Sequence, residues 1–204
     1  MVKNKVIISI SYKKRGLMLD LLVARPTGIE LKVKPNRLII SKTNLDGIIL
    51  SINDYFIEIS GYSKSELVNN SHEMLRHPDM PRSICQIVWN NVQYGKRFKV
   101  IMKHLAKNGN HFWLVLDIEI KRDSNGTIRN YLAYGEPISK KSTKLFEYLY
   151  AKIKNIENIH GVDAGIEYLF SYLDEHKLTY DEFIEKSLNK KIRLRDYLKN
   201  TFKI

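Results

Sequence analysis

Hydrophobic and polar positions along the chain change rhythm three times. Leu38 to Thr43 and Ile48 to Ser51 are short β-rich runs separated by Asp46-Gly47, a hairpin signal. Asn53 then reads as the N-cap of a short helix carrying Tyr55, Phe56 and Ile59, stopped by Gly61. Ser63-Lys64-Ser65-Glu66 is a capping box that opens another short helix. Arg82 to Tyr94 places Ile84, Ile87, Val88 and Asn91 at helical spacing, with Gly95 at its end. Three β-like runs follow, Phe98–Leu105, His111–Ile120 and Ile128–Tyr134, joined by Asn108-Gly109 and Asn125-Gly126.

Beyond Pro137 the period becomes purely helical. Leu145, Leu149, Ile153 and Ile156 form one apolar face, and Val162, Ile166, Leu169, Phe170 and Leu173 form a second after Gly161. Thr179 to Glu182 is another capping box, opening a helix with Phe183, Ile184 and Leu188. At the other end, Val6–Tyr12 reads as a strand and Leu17–Val23 as a two-turn helix closed by Pro26 and Gly28. The pattern predicts an α+β architecture: a five-stranded antiparallel sheet with small helices on one face, a cavity between them, and a C-terminal helical extension. The expected division is an N-terminal extension over 1–37, a sheet domain over 38–138 and a helical region over 139–204.

Composition narrows the class of protein. The 204 residues are 44% hydrophobic and 27% charged, enough to build a buried core. The longest apolar stretch, Leu17 to Ala24, contains Asp20 and is too short to span a bilayer, and no signal-peptide pattern follows Lys3 and Lys5. A cytoplasmic chain without direct membrane insertion is expected. Cys85 is the sole cysteine, so no disulfide framework exists. Of the net charge of +12, residues 1–37 supply nine Lys/Arg against two acids. With no nucleic-acid motif beside it, that basic cluster reads as a solvated face and no nucleic-acid partner is expected. The six histidines show no zinc spacing, and no phosphate loop, nucleophile elbow or kinase signature is present. Neither a metal site nor catalytic residues are expected, and the chain does not read as an enzyme.

Residues 38–138, with Asn53-Asp54-Tyr55-Phe56, Ser60-Gly61-Tyr62-Ser63, Met74-Leu75-Arg76-His77-Pro78-Asp79-Met80-Pro81, Trp89 with Gly95, and Lys107-Asn108-Gly109-Asn110-His111-Phe112-Trp113, resemble a PAS domain. More narrowly, the Arg-His-Pro-Asp-Met-Pro run resembles the flavin-binding PAS sensors of the aerotaxis-receptor (Aer) type, and a chain of this size is similar to stand-alone, CetB-like PAS signalling proteins. The resemblance implies FAD as cofactor and a role in redox sensing, aerotaxis or energy taxis through protein contact. The implied partner is a membrane chemoreceptor or another signalling protein, with a homodimer as a further arrangement. It ties Arg76, His77, Asp79 and Trp89 to the cofactor, and Asn53, whose motif is common to many PAS domains, is placed with them as a cofactor-binding candidate. Arg76 and His77 suit the pyrophosphate of FAD. The structural alternative is that Trp89 is core, Pro78 and Pro81 shape a turn, and Asp79 caps the helix that follows.

His104 stands where Aer-type sensors usually carry Asn. Alternation puts His104 with Met102 and Val100 on one face of its strand and Lys103 on the other; a lysine face needs solvent, which turns His104 inward toward the flavin edge. A non-covalent haem b, held by His104 or His77 in a gas sensor, is the alternative ligand, and a cofactor-free dimerisation module the alternative role.

Overall fold

The computed structural model describes residues 24–188. The strand and helix expected before residue 24, most of the basic N-terminal cluster, and the chain after 188 lie outside the described residues. The elements are β1 (Ile39–Thr43), β2 (Ile49–Ile52), α1 (Asp54–Ser60), α2 (Lys64–Leu67), a 3-10 turn at His72–Leu75, α3 (Arg82–Gln93), β3 (Phe98–Leu105), β4 (His111–Arg122), β5 (Ile128–Pro137), α4 (Lys140–His160), α5 (Val162–Glu175) and α6 (Tyr180–Leu188).

The five strands form one antiparallel sheet in the order β2-β1-β5-β4-β3. The chain therefore returns from the β3–β4–β5 meander to dock β5 against β1, with Ser41 opposite Ala133. Both meander turns place glycine in the left-handed region, Gly109 at φ +86° and Gly126 at φ +80°, where a side chain would be strained. β4 and β5 run past their sequence-predicted ends, because ladder pairing continues as far as Leu114 opposite Pro137 and Arg122 opposite Ile128. Pairing, not β propensity, sets where these strands stop.

The small helices sit where their caps put them. The Asn53 side chain accepts from Phe56 N–H at the start of α1, Gly61 ends it at φ +71°, and Ser63 with Glu66 completes the capping box of α2. The core joins Phe56, Leu67, Leu75, Met80 and Ile84 from the helical side to Val100, Phe112 and Leu114 of the sheet. Burying these apolar side chains, at roughly 1.5–3 kcal/mol each, is what docks the short helices, since none is long enough to hold itself together.

β3 and β4 are covered on their second face as well. Trp113 and Ile101 point opposite to Phe112 and His104, and Tyr150 of α4 meets them there: its ring lies 6.1 Å from that of Trp113, and its hydroxyl donates to the Ile101 carbonyl at 2.8 Å. Phe98 stacks on Tyr180 at the start of α6. The helices after residue 140 thus wrap the β3 end of the sheet. At the start of β4, beyond the reach of β5, residues 27–31 take the vacant place: Thr27 N–H donates to Gly109 O, His111 N–H to Ile29 O and Leu31 N–H to His111 O. Among the described residues no helix is long and apolar enough to cross a membrane.

Candidate functional site

The segment Arg76–Pro81 is not a free loop. Arg76 forms an antiparallel bridge with His104, His77 N–H donates to Lys103 O at 3.3 Å, and Lys103 N–H donates to the Met80 sulfur at 3.3 Å. Arg76 and His77 lie along the outer edge of β3, where successive side chains point to opposite faces, before a turn closed by Met80 N–H donating to His77 O at 2.9 Å. The Arg-His-Pro-Asp run is thereby split, with Arg76 on the His104 side and His77 on the other.

The inner group is aromatic and almost dry. His104 is 2% exposed. Its ring lies 5.4 Å from Phe112 and 5.5 Å from His72, and His72 lies 5.9 Å from Phe56. His72 Nε2 is 3.3 Å from Ser41 Oγ. Burial, then the neighbouring His72, drops the His104 pKa to about 3; burial drops His72 to about 4. Both imidazoles are neutral at pH 7. Among the described residues, His104 Nδ1 and Arg76 Nε are buried and make no hydrogen bond, though Arg76 Nε is ion-paired with Glu73. The Arg76 guanidinium donates to Met80 O at 3.3 Å, and Glu73 Oε1 stands 3.6 Å from its Nε.

The outer group is an ion-pair network. Lys103 is buried, contrary to the premise that its face opens to solvent: its ammonium reaches the exposed Asp79 carboxylate at 2.7 Å. His104 nonetheless points inward, because β3 is buried on both faces. His77 Nδ1 accepts from Asp79 N–H at 3.1 Å, and its ring meets that of His111 at 5.5 Å. Burial first, and the Lys103 charge second, lower His77 to about 4. Burial pushes the Asp79 carboxyl up, but the Lys103 hydrogen bond and charge outweigh it and hold the group below its ordinary value. Asp79 does not cap α3; the N-cap is Pro81, without a side-chain hydrogen bond.

The two remaining expected residues stand apart from both groups. Asn53 is committed to the backbone: its Oδ1 accepts from Ile40 and Phe56 N–H and its Nδ2 donates to Leu38 O. Trp89 is half-buried against Tyr131 and over the β1–β2 turn, where a Cβ on Gly47 would lie 2.6 Å from its ring. The structure therefore brings Arg76 and His104 together, sets His77 with Asp79 on the far face, and adds His72, Ser41, Lys103 and His111, which sequence reasoning did not assign. His72 had no signal beyond being a histidine, since its neighbour His104 is adjacent only in space.

The orphaned His104 nitrogen set among aromatic rings suits the chemistry of a flat heteroaromatic ring with polar atoms along one edge, as in a flavin. Residues 49–140, somewhat under half of the chain, match the family model described as PAS fold. The aerotaxis receptor of Escherichia coli is 31% identical over 128 residues, covering 63% of this chain and 25% of that protein. The bacterioopsin transcriptional activator of Halobacterium salinarum is 28% identical over 93 residues, covering 46% of this chain and 14% of that protein. The chain thus spans a quarter or less of the length of these curated relatives. Among solved structures, the light state of the aureochrome1 LOV photoreceptor aligns with a TM-score of 0.49 at 22% identity, over 54% of this chain and 88% of that one.

Proposed function

We propose that the PAS domain of this chain is a sensor that binds FAD non-covalently and passes the redox or energy state of the cell to a partner by protein contact, as in aerotaxis or energy taxis. The observation that carries the reading is His104 Nδ1, a buried nitrogen without a hydrogen-bond partner among the described residues, in an aromatic site that a backbone bridge ties to Arg76, within a chain similar to the aerotaxis receptor. A buried polar group without a partner costs about 1–3 kcal/mol, so an orphaned nitrogen at an aromatic site favours a ligand that satisfies it.

When bound, FAD supplies electron transfer whose outcome changes charge and hydrogen bonding at the ring edge. The chain's own residues would do the rest. Neutral His104 offers one free ring nitrogen to that edge, with Phe56, Phe112 and His72 as walls. Arg76 offers a fixed positive charge to the phosphates of FAD. Because Arg76 and His104 belong to one backbone bridge, a change at either is felt by the edge of β3 and by the loop together. The site residues serve binding and signalling rather than catalysis, the chain works in the cytoplasm, and the receiving partner is a membrane chemoreceptor, another signalling protein or a second copy.

The absorption spectrum of the purified protein tests this directly. A flavin spectrum, with FAD released on denaturation, is the expected result. A haem Soret band would overturn the flavin reading in favour of a haem held by His104 or His77. Protein that is colourless and takes up neither FAD nor haemin would leave a cofactor-free interaction module and overturn the reading.

A further inference from the structure

Helix α3 starts directly after the Arg76–Pro81 segment, and its N-cap, Pro81, has no side chain that can accept a hydrogen bond. The amides of its first turn therefore need acceptors from elsewhere. Ser83 N–H finds one in Glu157, a buried carboxylate near the end of α4: Oε2 lies 2.9 Å from the amide and 2.8 Å from the Ser83 hydroxyl. A carboxylate there also complements the positive end of the helix. The same hydroxyl is 3.1 Å from the carbonyl of Val162, the first residue of α5. Gly165 of α5 lies over Ser83 so closely that a Cβ would collide with Oγ. The end of α4, the start of α5 and its second turn all converge on one residue, two positions beyond Pro81. A second tie runs from Tyr150 of α4 to Ile101 O on β3, two residues from the Lys103 carbonyl that holds His77 N–H.

We propose that Ser83, Glu157 and Gly165 form a joint through which the C-terminal helices and the Arg76–Pro81 segment move as one unit. Glu157 and Gly165 are then positioning residues for the site proposed above; the functional meaning rests on that reading, while the joint itself does not. Docking of α4 and α5 and the placement of Arg76 become one equilibrium. Whatever repositions the segment shifts the helices, and the coupling runs equally in reverse. The C-terminal helices are on this view the first relay of the sensor's output.

Amide hydrogen exchange on the full chain, without added flavin, tests the joint. Glu157→Ala should raise exchange at Arg76, His77, Asp79 and Met80 together with α5 by roughly tenfold, the factor expected for losing a charged hydrogen bond, Gly165→Ala should raise the same set by its collision with Ser83, and both should leave β4 and β5 unchanged. Glu157→Gln, which keeps an acceptor, should rescue most of the effect. If Glu157→Ala does not fold, Glu157→Gln and Gly165→Ala carry the same comparison. Faster exchange in α5 with the Arg76–Met80 amides unchanged would overturn the proposal. Adding FAD to the wild-type protein separates the two readings: no uptake ends the flavin assignment, and the joint is still judged by the flavin-free variants.

Discussion

Replacing His104 with leucine should remove one proton from the acid limb of the stability curve. His104 is 2% exposed, and burial, helped by His72, drops its pKa from 6.5 to about 3. In the unfolded chain the same imidazole titrates at ~6.5. Between those two values the unfolded state binds a proton that the folded state refuses, so stability is intact above the upper value and falls as the pH falls. The slope is ~1.4 kcal/mol per pH unit for one group. Integrated down from about pH 7.5, the His104 contribution is ~1.3 kcal/mol lost by about pH 5.5 and ~2.7 kcal/mol by about pH 4.5. Leucine has similar bulk and takes no proton. The difference in unfolding free energy between the two proteins should therefore grow by those amounts toward acid, on top of a constant offset from altered packing. His72 and His77, each lowered to about 4, steepen both curves and largely cancel in the difference. Urea unfolding at the three pH values measures it. Curves that stay parallel from neutral to acid would refute the claim that His104 is held neutral by its surroundings.

Three other outcomes are expected. Asn53→Ala removes three backbone partners at the start of α1 and should cost ~2 kcal/mol in denaturant unfolding, more than an ordinary cap. Gly109→Ala should cost ~1–3 kcal/mol, since φ is +86° and a Cβ would meet the Arg25 carbonyl, and it should speed exchange of the Thr27 amide beside it. Arg76→Ala should lower flavin occupancy by a factor corresponding to ~1.5–3 kcal/mol, read by absorbance against a flavin-free melting curve that corrects for its bond to Met80 O.

The sheet was legible because its signals are local. Asn108-Gly109 and Asn125-Gly126 demand left-handed glycine, and the structure uses both in that conformation. Capping at Asn53, Ser63 and Thr179 was legible for the same reason, each cap lying within three residues of its partner. The site was legible only in part. Arg76, His77 and Asp79 read as one group in sequence, but the pairing of Arg76 with His104 on the β3 edge turns His77 to the opposite face, and the turn that follows sets Asp79 beside it. Lys103 looked like a solvent marker because its counter-ion, Asp79, sits on a different segment. His72 and His104 meet only once the 3-10 turn has folded over the sheet. What joins separate elements leaves no trace in the spacing of either.

The covering of β3 also bears on how this protein can be dissected. β3 ends the sheet, and a terminal strand with bare amides and carbonyls is a template for a neighbouring molecule. Here Met80 and His77 occupy the Lys103 amide and carbonyl, and Tyr150 occupies the Ile101 carbonyl. A chain cut after residue 138 would keep every strand and lose Tyr150, baring part of that edge and the second face of Trp113. Such a fragment would be prone to self-association, and a dimer seen only in the shortened protein would belong to the cut rather than to the full chain.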